Sequence, residues 1–305
     1  MIKNRQEVLF LYDVTDANPN GDPLDENKPR IDEEASINIV TDVRLKRTIR
    51  DYMYNFKGYD GTDGKDIFVR ELKAEKGGLK DGKARAKDFN ENLDTVLEKA
   101  IDIRLFGGVI PLNKASITFT GPVQFNMGRS LNRVELKHIK GTGAFASGEG
   151  KSQKTFREEY IIPYSLIGFH GIINENAAKD TKLSDDDILM LDEAIWNGTK
   201  NLITRSKMGH MPRLLVRVVY KESNNFFMGD LQRKIELVPN TEEEKIRSYK
   251  DFYIKVDDLI DTLIENKNNI EKIIFICDKN LNLKYKDEKI LLQDVRELNF
   301  EEKSF

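Results

Sequence analysis

Acids and amides with metal-ligand spacing lie early in the chain, in the stretch DANPNGDPLDEN at 16–27. Asp16, Asn18 and Asn20 occupy alternate positions and a glycine follows, as in the first half of an EF-hand calcium loop. The twelfth position, where a bidentate glutamate closes the calcium shell, holds Asn27. A proline interrupts the stretch, and a strand-like segment precedes it where an EF-hand has a helix. We therefore interpret this stretch as a loop of tight turns that its Asn-Pro and Asn-Gly dipeptides favour.

The same loop leaves other chemistry open. A metal-dependent ribonuclease could use Asp16, Asp22 or Asp25 as a carboxylate ligand, and a calcium-regulated interaction module is a further hypothesis for the loop. Of the three histidines, His138 is the most available as a general base for RNA cleavage, although a plain surface histidine is the commoner case. The sequence shows no nucleophile constellation beside these residues.

A row of bases occupies the outer arc of a predicted helix at 41–56. These bases are Arg44, Lys46, Arg47 and Arg50. Within the helix only Asp42 and Asp51 are available to neutralise them, so the pattern favours a positive stripe suited to phosphates. A solvated helix face is the alternative interpretation.

Two further segments concentrate positive charge. The stretch TRSKMGHMPR at 204–213 combines bases, methionines and a glycine where a helix ends, and its candidates are Arg205, Lys207, Met208, Gly209 and Arg213. Bases at this position also suit the helix dipole. The second segment is a Gly- and Ser-rich loop at 126–158 that lacks a phosphate-loop pattern. Its bases are Arg129, Arg133, Lys137, Lys140, Lys151, Lys154 and Arg157.

Composition limits the class of protein. The chain has 305 residues, 39% hydrophobic and 33% charged, which suits one large elaborated domain or two smaller ones. A net charge of -3 argues against a polyanion-binding surface over the whole chain, but 199–221 contains six bases and no acid. The lone cysteine, Cys277, excludes a disulfide framework and a cysteine-based zinc site. We expect a cytoplasmic protein, because no secretion signal or membrane span is visible.

Hydrophobic periodicity predicts an alternation of strands and helices. The predicted strands are 7–14, 115–125, 160–173 and 213–220, and the predicted helices are 41–56, 89–101 and 184–202. Thr41 is the predicted N-cap of the first helix, and Ser184 with Asp187 forms a capping box for the last.

Without insertions, this order is β-α-β-β-α-β, which is typical of an α+β fold of the ferredoxin-like or RRM type. In that topology the first and third strands are central and the second and fourth are edges. We expect 1–221 to form this core, with a helical insertion at 57–106 and the basic loop at 126–158. Residues 222–305 should form an α+β extension that packs on the core.

Several unlike motifs, taken in order, resemble the repeated backbone subunit of a CRISPR surveillance complex. The resemblance is closest to the type I-B Cascade backbone protein of the RAMP superfamily. It rests on the first strand followed by ANPNGDP, VTDVRLKRTIRDY, DIRLFGG and RSKMG...PRLLVRVVY, and it runs through residues 5–221.

This resemblance implies a right-hand shape, with the RRM-like core as palm, 57–106 as part of the fingers and 126–158 as thumb. Copies would stack head to tail along CRISPR RNA together with other Cascade subunits, and the guide bases would pair with target DNA. It implies a non-catalytic protein without cofactor or metal. Because some RAMP relatives cut RNA from an early acidic loop, a metal-dependent endoribonuclease remains the alternative.

The resemblance also assigns the basic helix and the 204–213 segment to the guide backbone. The predicted RNA-binding residues are Asn18, Asn20, Arg44, Lys46, Arg47, Arg50, Arg129, Lys137, Lys140, Lys151, Lys154, Arg157, Arg205, Lys207, Met208, Gly209 and Arg213. Asn18 and Asn20 are expected to shape the groove rather than hold a metal. No RNP1 run for base stacking is present, so we expect sequence-independent holding of the RNA backbone.

Overall fold

The computed structural model describes residues 1–75, 77–112, 116–146 and 154–305, with side chains at these positions except 142–146 and 154–157. The strands are β1 (Gln6–Ala17), β2 (Gly21–Asp22), β3 (Lys28–Pro29), β4 (Ile31–Asp32), β5 (Ile37–Val40), β6 (Gly107–Pro111), β7 (Ser116–Thr120), β8 (Val123–Phe125), β9 (Gly128–Arg133), β10 (Lys137–Ala146), β11 (Lys154–Ile173), β12 (His210–Tyr220), β13 (Glu236–Pro239), β14 (Phe252–Lys255), β15 (Ile270–Cys277), β16 (Leu283–Tyr285), β17 (Glu288–Lys289) and β18 (Phe300–Glu302). The α-helices are α1 (Asp42–Phe56), α2 (Gly82–Asp88), α3 (Leu93–Lys99), α4 (Ile101–Phe106), α5 (Glu175–Thr181), α6 (Asp185–Lys200) and α7 (Asp257–Glu265). Short 3-10 turns cover Leu231–Arg233, Glu243–Lys245, Tyr249–Asp251 and Leu292–Asp294.

A large mixed sheet organises the chain. Its strand order is β18-β15-β12-β1-β11-β9-β5-β4, and β8 and β10 also pair with β11. The strands β12, β1, β11 and β8 are antiparallel to their neighbours, and Phe10 lies opposite Phe169 on one side and Leu215 on the other. The nine residues from Gln6 to Val14 are all buried, as expected for an interior strand with two apolar faces.

Both faces of the sheet are covered around β1. Phe10 and Tyr12 point into a core cluster with residues of α1 and α6, whereas Leu9 and Leu11 point into a second cluster built largely from residues after 230. This alternation follows from the two-residue period of a strand. The C-terminal part of the chain therefore occupies one whole face of the central strands.

Two of the predicted helix starts are confirmed. The Thr41 side chain accepts a hydrogen bond from the Arg44 N–H at the beginning of α1. Ser184 and Asp187 form the reciprocal capping box of α6. Both signals are local, since each joins residues three apart in the sequence. Among the described helices, none has the length and apolar character needed to cross a membrane.

Three predictions about elements are wrong. The strand predicted at 115–125 is divided, because β7 pairs with β6 in a separate hairpin and only β8 joins the large sheet; residue 115 lies outside the described part of the chain. The break follows from Gly121, where an added Cβ would lie 2.0 Å from the backbone carbon of Phe106. The single helix predicted at 89–101 is instead α3 and α4, separated at Ala100, whose ψ is 93°. Finally, the fourth predicted strand, β12, is not an edge because β15 pairs with its outer side.

Candidate nucleic-acid interface

Two amides fix the chain where it leaves β1. The Oδ1 atom of Asn20 accepts hydrogen bonds from both the N–H and the hydroxyl of Thr41, each at 2.9 Å. Its backbone oxygen accepts from the Arg30 N–H at 3.2 Å. The side chain of Asn18, which is 3% exposed, donates to the backbone oxygen of Asn27 at 2.6 Å. Asn20 therefore joins the loop to the start of α1.

The segment before β12 meets the same point. The Asn18 N–H donates to the oxygen of Ser206 at 2.9 Å, and the Thr15 N–H donates to the oxygen of Gly209 at 3.2 Å. Gly209 has a φ of +109°, and an added Cβ would lie 2.4 Å from the Thr15 oxygen. A glycine is required here for both reasons, since a side chain would be strained and would also collide with the backbone.

Lys207 points into this junction. Its ammonium donates to the backbone oxygen of Asn18. Burial, with a smaller contribution from the positive charge of Arg44, lowers the pKa of Lys207 to about 8. Among the described residues, no carboxylate lies within ion-pairing distance of Lys207. Its charge is therefore held without a counterion from the described residues.

Arg44, in the first turn of α1, is likewise a cation without an ion-pairing acid among the described residues. One guanidinium nitrogen donates to the Thr48 hydroxyl at 3.1 Å, while the buried Nε atom has no partner. Burial lowers the pKa of Arg44, although Asp51 acts in the opposite direction. Within the described part of the chain, no acid forms an ion pair with Arg44.

His210 lies behind the two cations and carries no charge at neutral pH. Burial lowers the pKa of His210 to about 3, and the nearby charges of Lys207 and Arg44 act in the same direction. The hydrogen bond to the Lys207 backbone oxygen has the opposite effect but is outweighed. Its ring stacks on Tyr12 with centroids 5.7 Å apart, and its Nε2 atom is buried without a partner. We call Asn18, Arg44, Lys207, Gly209 and His210 the strand-exit site.

The other bases of α1 differ from the predicted unpaired stripe. Lys46 pairs with Asp42 at 3.0 Å, Arg47 with Asp51 at 2.7 Å, and Arg50 with Asp102 at 2.9 Å. The premise that only the two acids within the helix would be available is wrong, because Asp102 comes from α4. The RNA-binding role of these three residues stays a prediction, but each already has a counterion.

Arg213 is also placed differently from the expectation. Its side chain is buried, its Nε donates to Asp13 Oδ2 at 2.8 Å, and its guanidinium also pairs with Asp278 and lies over the Tyr249 ring at 4.6 Å. These contacts give Arg213 a place inside the protein between β1 and the C-terminal residues. It is therefore not part of the exposed basic surface.

A cleft of about 760 Å³ opens beside the strand-exit site. Met208 and Ile203 line it and are 69% and 73% exposed, and Tyr160 and Arg205 contribute from either side. Arg205 forms a two-pronged ion pair with Glu159, at 2.8 and 3.1 Å. The cleft thus combines exposed apolar groups with a guanidinium that already has a counterion.

The bases of the predicted thumb lie on an antiparallel hairpin, β10–β11, and on β9 before it. Within 126–158, β9 belongs to the large sheet and the described residues from Lys137 onward form the hairpin. Arg129 contacts Asp32 at 3.4 Å, Lys137 contacts Glu135 at 2.6 Å, and Lys140 contacts Glu158 at 3.4 Å, all at exposed positions. Lys151 lies outside the described residues, and Lys154 and Arg157 are described only through their backbone in β11.

The acidic loop gives no sign of a metal site. Asp22 pairs with Arg30 at 2.6 Å and Asp25 with Lys28 at 2.7 Å, while Asp16 is exposed at the rim of the cleft. In the described ranges, no three of the histidine, cysteine, aspartate and glutamate side chains are grouped as a metal would require. His138 stacks on Tyr160 at 4.4 Å and lies 3.3 Å from Glu158.

Sequence patterns did not assign His210 to the strand-exit site and did not pair Thr41 with Asn20. The signals were present but weak, because His210 directly follows the required glycine and Thr41 was interpreted only as a helix cap. Of the predicted residues, the structure brings Asn18, Asn20, Arg44, Lys207 and Gly209 together and places Arg205 and Met208 at the adjoining cleft.

Comparison with known proteins identifies a family model and a relative that match most of this chain. The family model described as CRISPR-associated protein Cas7 matches residues 4–257. A CRISPR-associated protein Cas7 from Haloferax volcanii is 34% identical over 318 residues, which covers 94% of this chain and 91% of the relative.

Two solved structures share the fold. One, described as a CRISPR RNA-guided surveillance complex, pre-nicking, has a chain with a TM-score of 0.58 and 9% identity, covering 98% of this chain and 96% of its own. A second, described as a CRISPR RNA-guided surveillance complex, gives a TM-score of 0.55 and 12% identity, with 97% and 94% covered. At these identities the likeness concerns the fold alone.

Proposed function

This chain belongs to the Cas7 family of CRISPR-associated proteins, and we propose that it binds CRISPR RNA as a backbone subunit of a type I-B Cascade surveillance complex. In this role it holds the sugar-phosphate backbone while the guide bases pair with target DNA. Its partners are CRISPR RNA, further copies of itself in a head-to-tail filament, and other Cascade subunits. The protein acts in the prokaryotic cytoplasm, without a cofactor and without cleaving RNA.

One observation carries this proposal: at the strand-exit site Arg44 lies close enough to Lys207 for its charge to lower the pKa of Lys207, and no acid is paired to either cation in the described part of the chain. Two half-buried cations repel one another and lose hydration, so an anion between them would be favoured. A phosphate of RNA has the matching charge and accepts hydrogen bonds from both side chains. The surrounding backbone is fixed by Asn18 and Asn20, which keeps the cations in place.

The covered sheet supports backbone holding over base stacking. An RRM that reads bases uses aromatic side chains on an open sheet face. Here residues of the C-terminal part pack against Leu9 and Leu11 on one face, and helices α1 and α6 cover Phe10 and Tyr12 on the other. The faces of the central strands are thus filled by protein, which leaves Arg44 and Lys207 near the end of β1 as the proposed contact for the RNA backbone.

We further propose the right-hand arrangement for this fold. The strand order β12-β1-β11-β8 is that expected of an RRM-like palm, the segment 57–106 contributes to the fingers, and the β10–β11 hairpin forms the thumb. The 222–305 segment is an extension of the palm, and β15 pairing with β12 supports this division.

The test is binding of purified protein to RNAs of unrelated sequence at several salt concentrations. Affinity should be nearly the same for each RNA, and each lost phosphate contact should flatten the log-log salt slope by about 0.7. A double variant, Arg44→Met with Lys207→Met, should weaken binding of all RNAs by roughly a hundredfold or more, because charge-assisted hydrogen bonds contribute about 1.5–3 kcal/mol each. A loss confined to particular sequences would contradict backbone holding.

A further inference from the structure

The β10–β11 hairpin leaves the large sheet from a narrow base. We call Arg133, Glu135 and Tyr164 the hairpin root, because Arg133 and Glu135 lead into β10 and Tyr164 lies where β11 returns to the sheet. Asn132 joins the two legs: its Oδ1 atom accepts from the Leu166 N–H at 2.9 Å, and the residue is 1% exposed. Past this point β10 pairs with β11 alone.

The C-terminal extension contacts the first leg directly. Glu243 accepts a hydrogen bond from the Arg133 N–H at 2.8 Å, and Glu244 lies 4.0 Å from the Arg133 guanidinium. Arg247 lies 3.7 Å from the carboxylate of Glu135. One short segment of the extension therefore reaches the backbone and both charged side chains of this leg.

The same segment contacts the second leg from the interior. The ring of Tyr164 lies 5.9 Å from that of Phe252, and both residues are 2% exposed. The Tyr164 hydroxyl donates to Asp13 Oδ2 at 2.8 Å, and this oxygen also accepts from Arg213, whose guanidinium lies over Tyr249. The second leg is thus held in a buried network that includes the extension.

We propose that the segment 243–252 is a positioning element that holds both legs of the hairpin root and so sets the direction of the β10–β11 hairpin. Its consequence for assembly rests on the proposed function, in which the hairpin is the thumb that closes over RNA and meets the next copy. On the opposite side, Tyr160 contacts Glu26 at 2.7 Å and Arg205 contacts Glu159 at 2.8 Å, at exposed positions. Exposed polar contacts are weak and salt-sensitive on both sides, so the buried contact between Tyr164 and Phe252 makes the root the stronger hold.

The first experiment uses amide hydrogen exchange on the full chain without RNA. The double variant Glu243→Ala with Arg247→Met removes the hydrogen bond to the Arg133 N–H and the contact with Glu135, and it leaves the longer Glu244 contact and the buried network in place. Exchange in residues 137–141 and 158–161 should become about threefold faster or more, with the amides of β1 unchanged. The matched control is Glu242→Ala, because Glu242 flanks the same turn and its carboxylate pairs with Lys245.

Two results would overturn the proposal. Unchanged exchange in the hairpin would mean that the segment does not position it. An equal rise throughout β1 would mean that the segment supports the whole fold and not the hairpin in particular. Glu135→Gln, on the hairpin side of the Arg247 contact, provides a second variant with the same readout and a smaller expected effect.

The second experiment measures assembly on RNA. The double variant should keep the affinity of a single copy for a short RNA but load fewer copies on a long one. If the unaltered protein binds no RNA, the proposed function fails, while the exchange experiment still decides whether the segment positions the hairpin. If assembly is normal although the hairpin exchanges faster, the direction of the hairpin does not govern assembly.

Discussion

Lys207 lies close enough to Arg44 at the end of β1 for the Arg44 charge to lower the pKa of Lys207, and in the described ranges no acid forms an ion pair with either cation. Their neighbours on α1 already have acidic partners. This contrast distinguishes bases that stabilise the fold from bases that are free to bind an anion.

RNA affinity should fall as pH rises through the pKa of Lys207, which is about 8. A bound phosphate favours the ammonium form, so above this pH binding must take up a proton and affinity should drop by up to about tenfold per pH unit. Below this pH Lys207 is already charged and little change is expected. Lys207→Arg should abolish the decrease, because a guanidinium keeps its charge. Binding curves from pH 6 to 9.5 at fixed ionic strength provide the measurement, and a decrease that persists in Lys207→Arg would refute the assignment.

Replacing the paired bases of α1 should matter less than replacing the unpaired ones. Lys46→Ala with Arg47→Ala should weaken RNA binding by about threefold or less, since ion pairs with Asp42 and Asp51 already satisfy both charges. Arg44→Met with Lys207→Met should cause the larger loss. Side-by-side titrations in one salt concentration compare them, and the reverse order would move the phosphate path to the outer arc of α1.

Gly209→Ala should destabilise the protein and weaken RNA binding together. A positive φ disfavours any L side chain by about 1–2 kcal/mol, and the contact with the Thr15 oxygen adds to this. Gly64→Ala is the control, because Gly64 also has a positive φ but open space around it. Urea unfolding should show the larger loss for Gly209→Ala, and equal losses would mean that the close approach to Thr15 relaxes without penalty.

Arg213→Met should reduce stability by about 3–5 kcal/mol, because it leaves Asp13 buried without its cation. Desolvation already raises the pKa of Asp13 against the opposing effect of Arg213. Adding Asp13→Asn to the variant removes the unpaired charge and should restore part of the loss. Chemical denaturation gives both values. A variant that unfolds normally but binds RNA poorly would instead assign Arg213 to the RNA surface.

No cleavage of guide or target RNA is expected with Mg²⁺ or Mn²⁺. Asp22 and Asp25 are paired with Arg30 and Lys28, which reduces their availability to a metal ion. Incubation of labelled RNA with each metal, followed by gel analysis, tests this. Cleavage that disappears in Asp25→Ala would establish the endoribonuclease alternative.

Short-range signals in the sequence predicted the helix caps and the interior strand correctly. The two cap motifs could be recognised from residues three apart, and the interior strand β1 from its continuous apolar run. The division of 115–125 depends instead on the approach of Gly121 to Phe106, which no local pattern specifies.

The same distinction applies to the site. The basic segments could be found by counting Lys and Arg residues along the sequence. Which of these bases lack an ion-pair partner could be decided only from the folded structure. Arg50 pairs with an acid 52 residues away, and Arg213 with one 200 residues away. Charge neutralisation between such distant positions is a property of the folded chain.

The hydrogen bond from Arg30 to the Asn20 oxygen has a consequence for how this loop can change. It joins the residues that flank 21–29, so this segment is a loop whose two ends lie close together. Leu24 near its tip is 96% exposed. Length can therefore vary there without displacing α1, which makes the tip suitable for attaching a fluorophore or an affinity tag to the assembled protein.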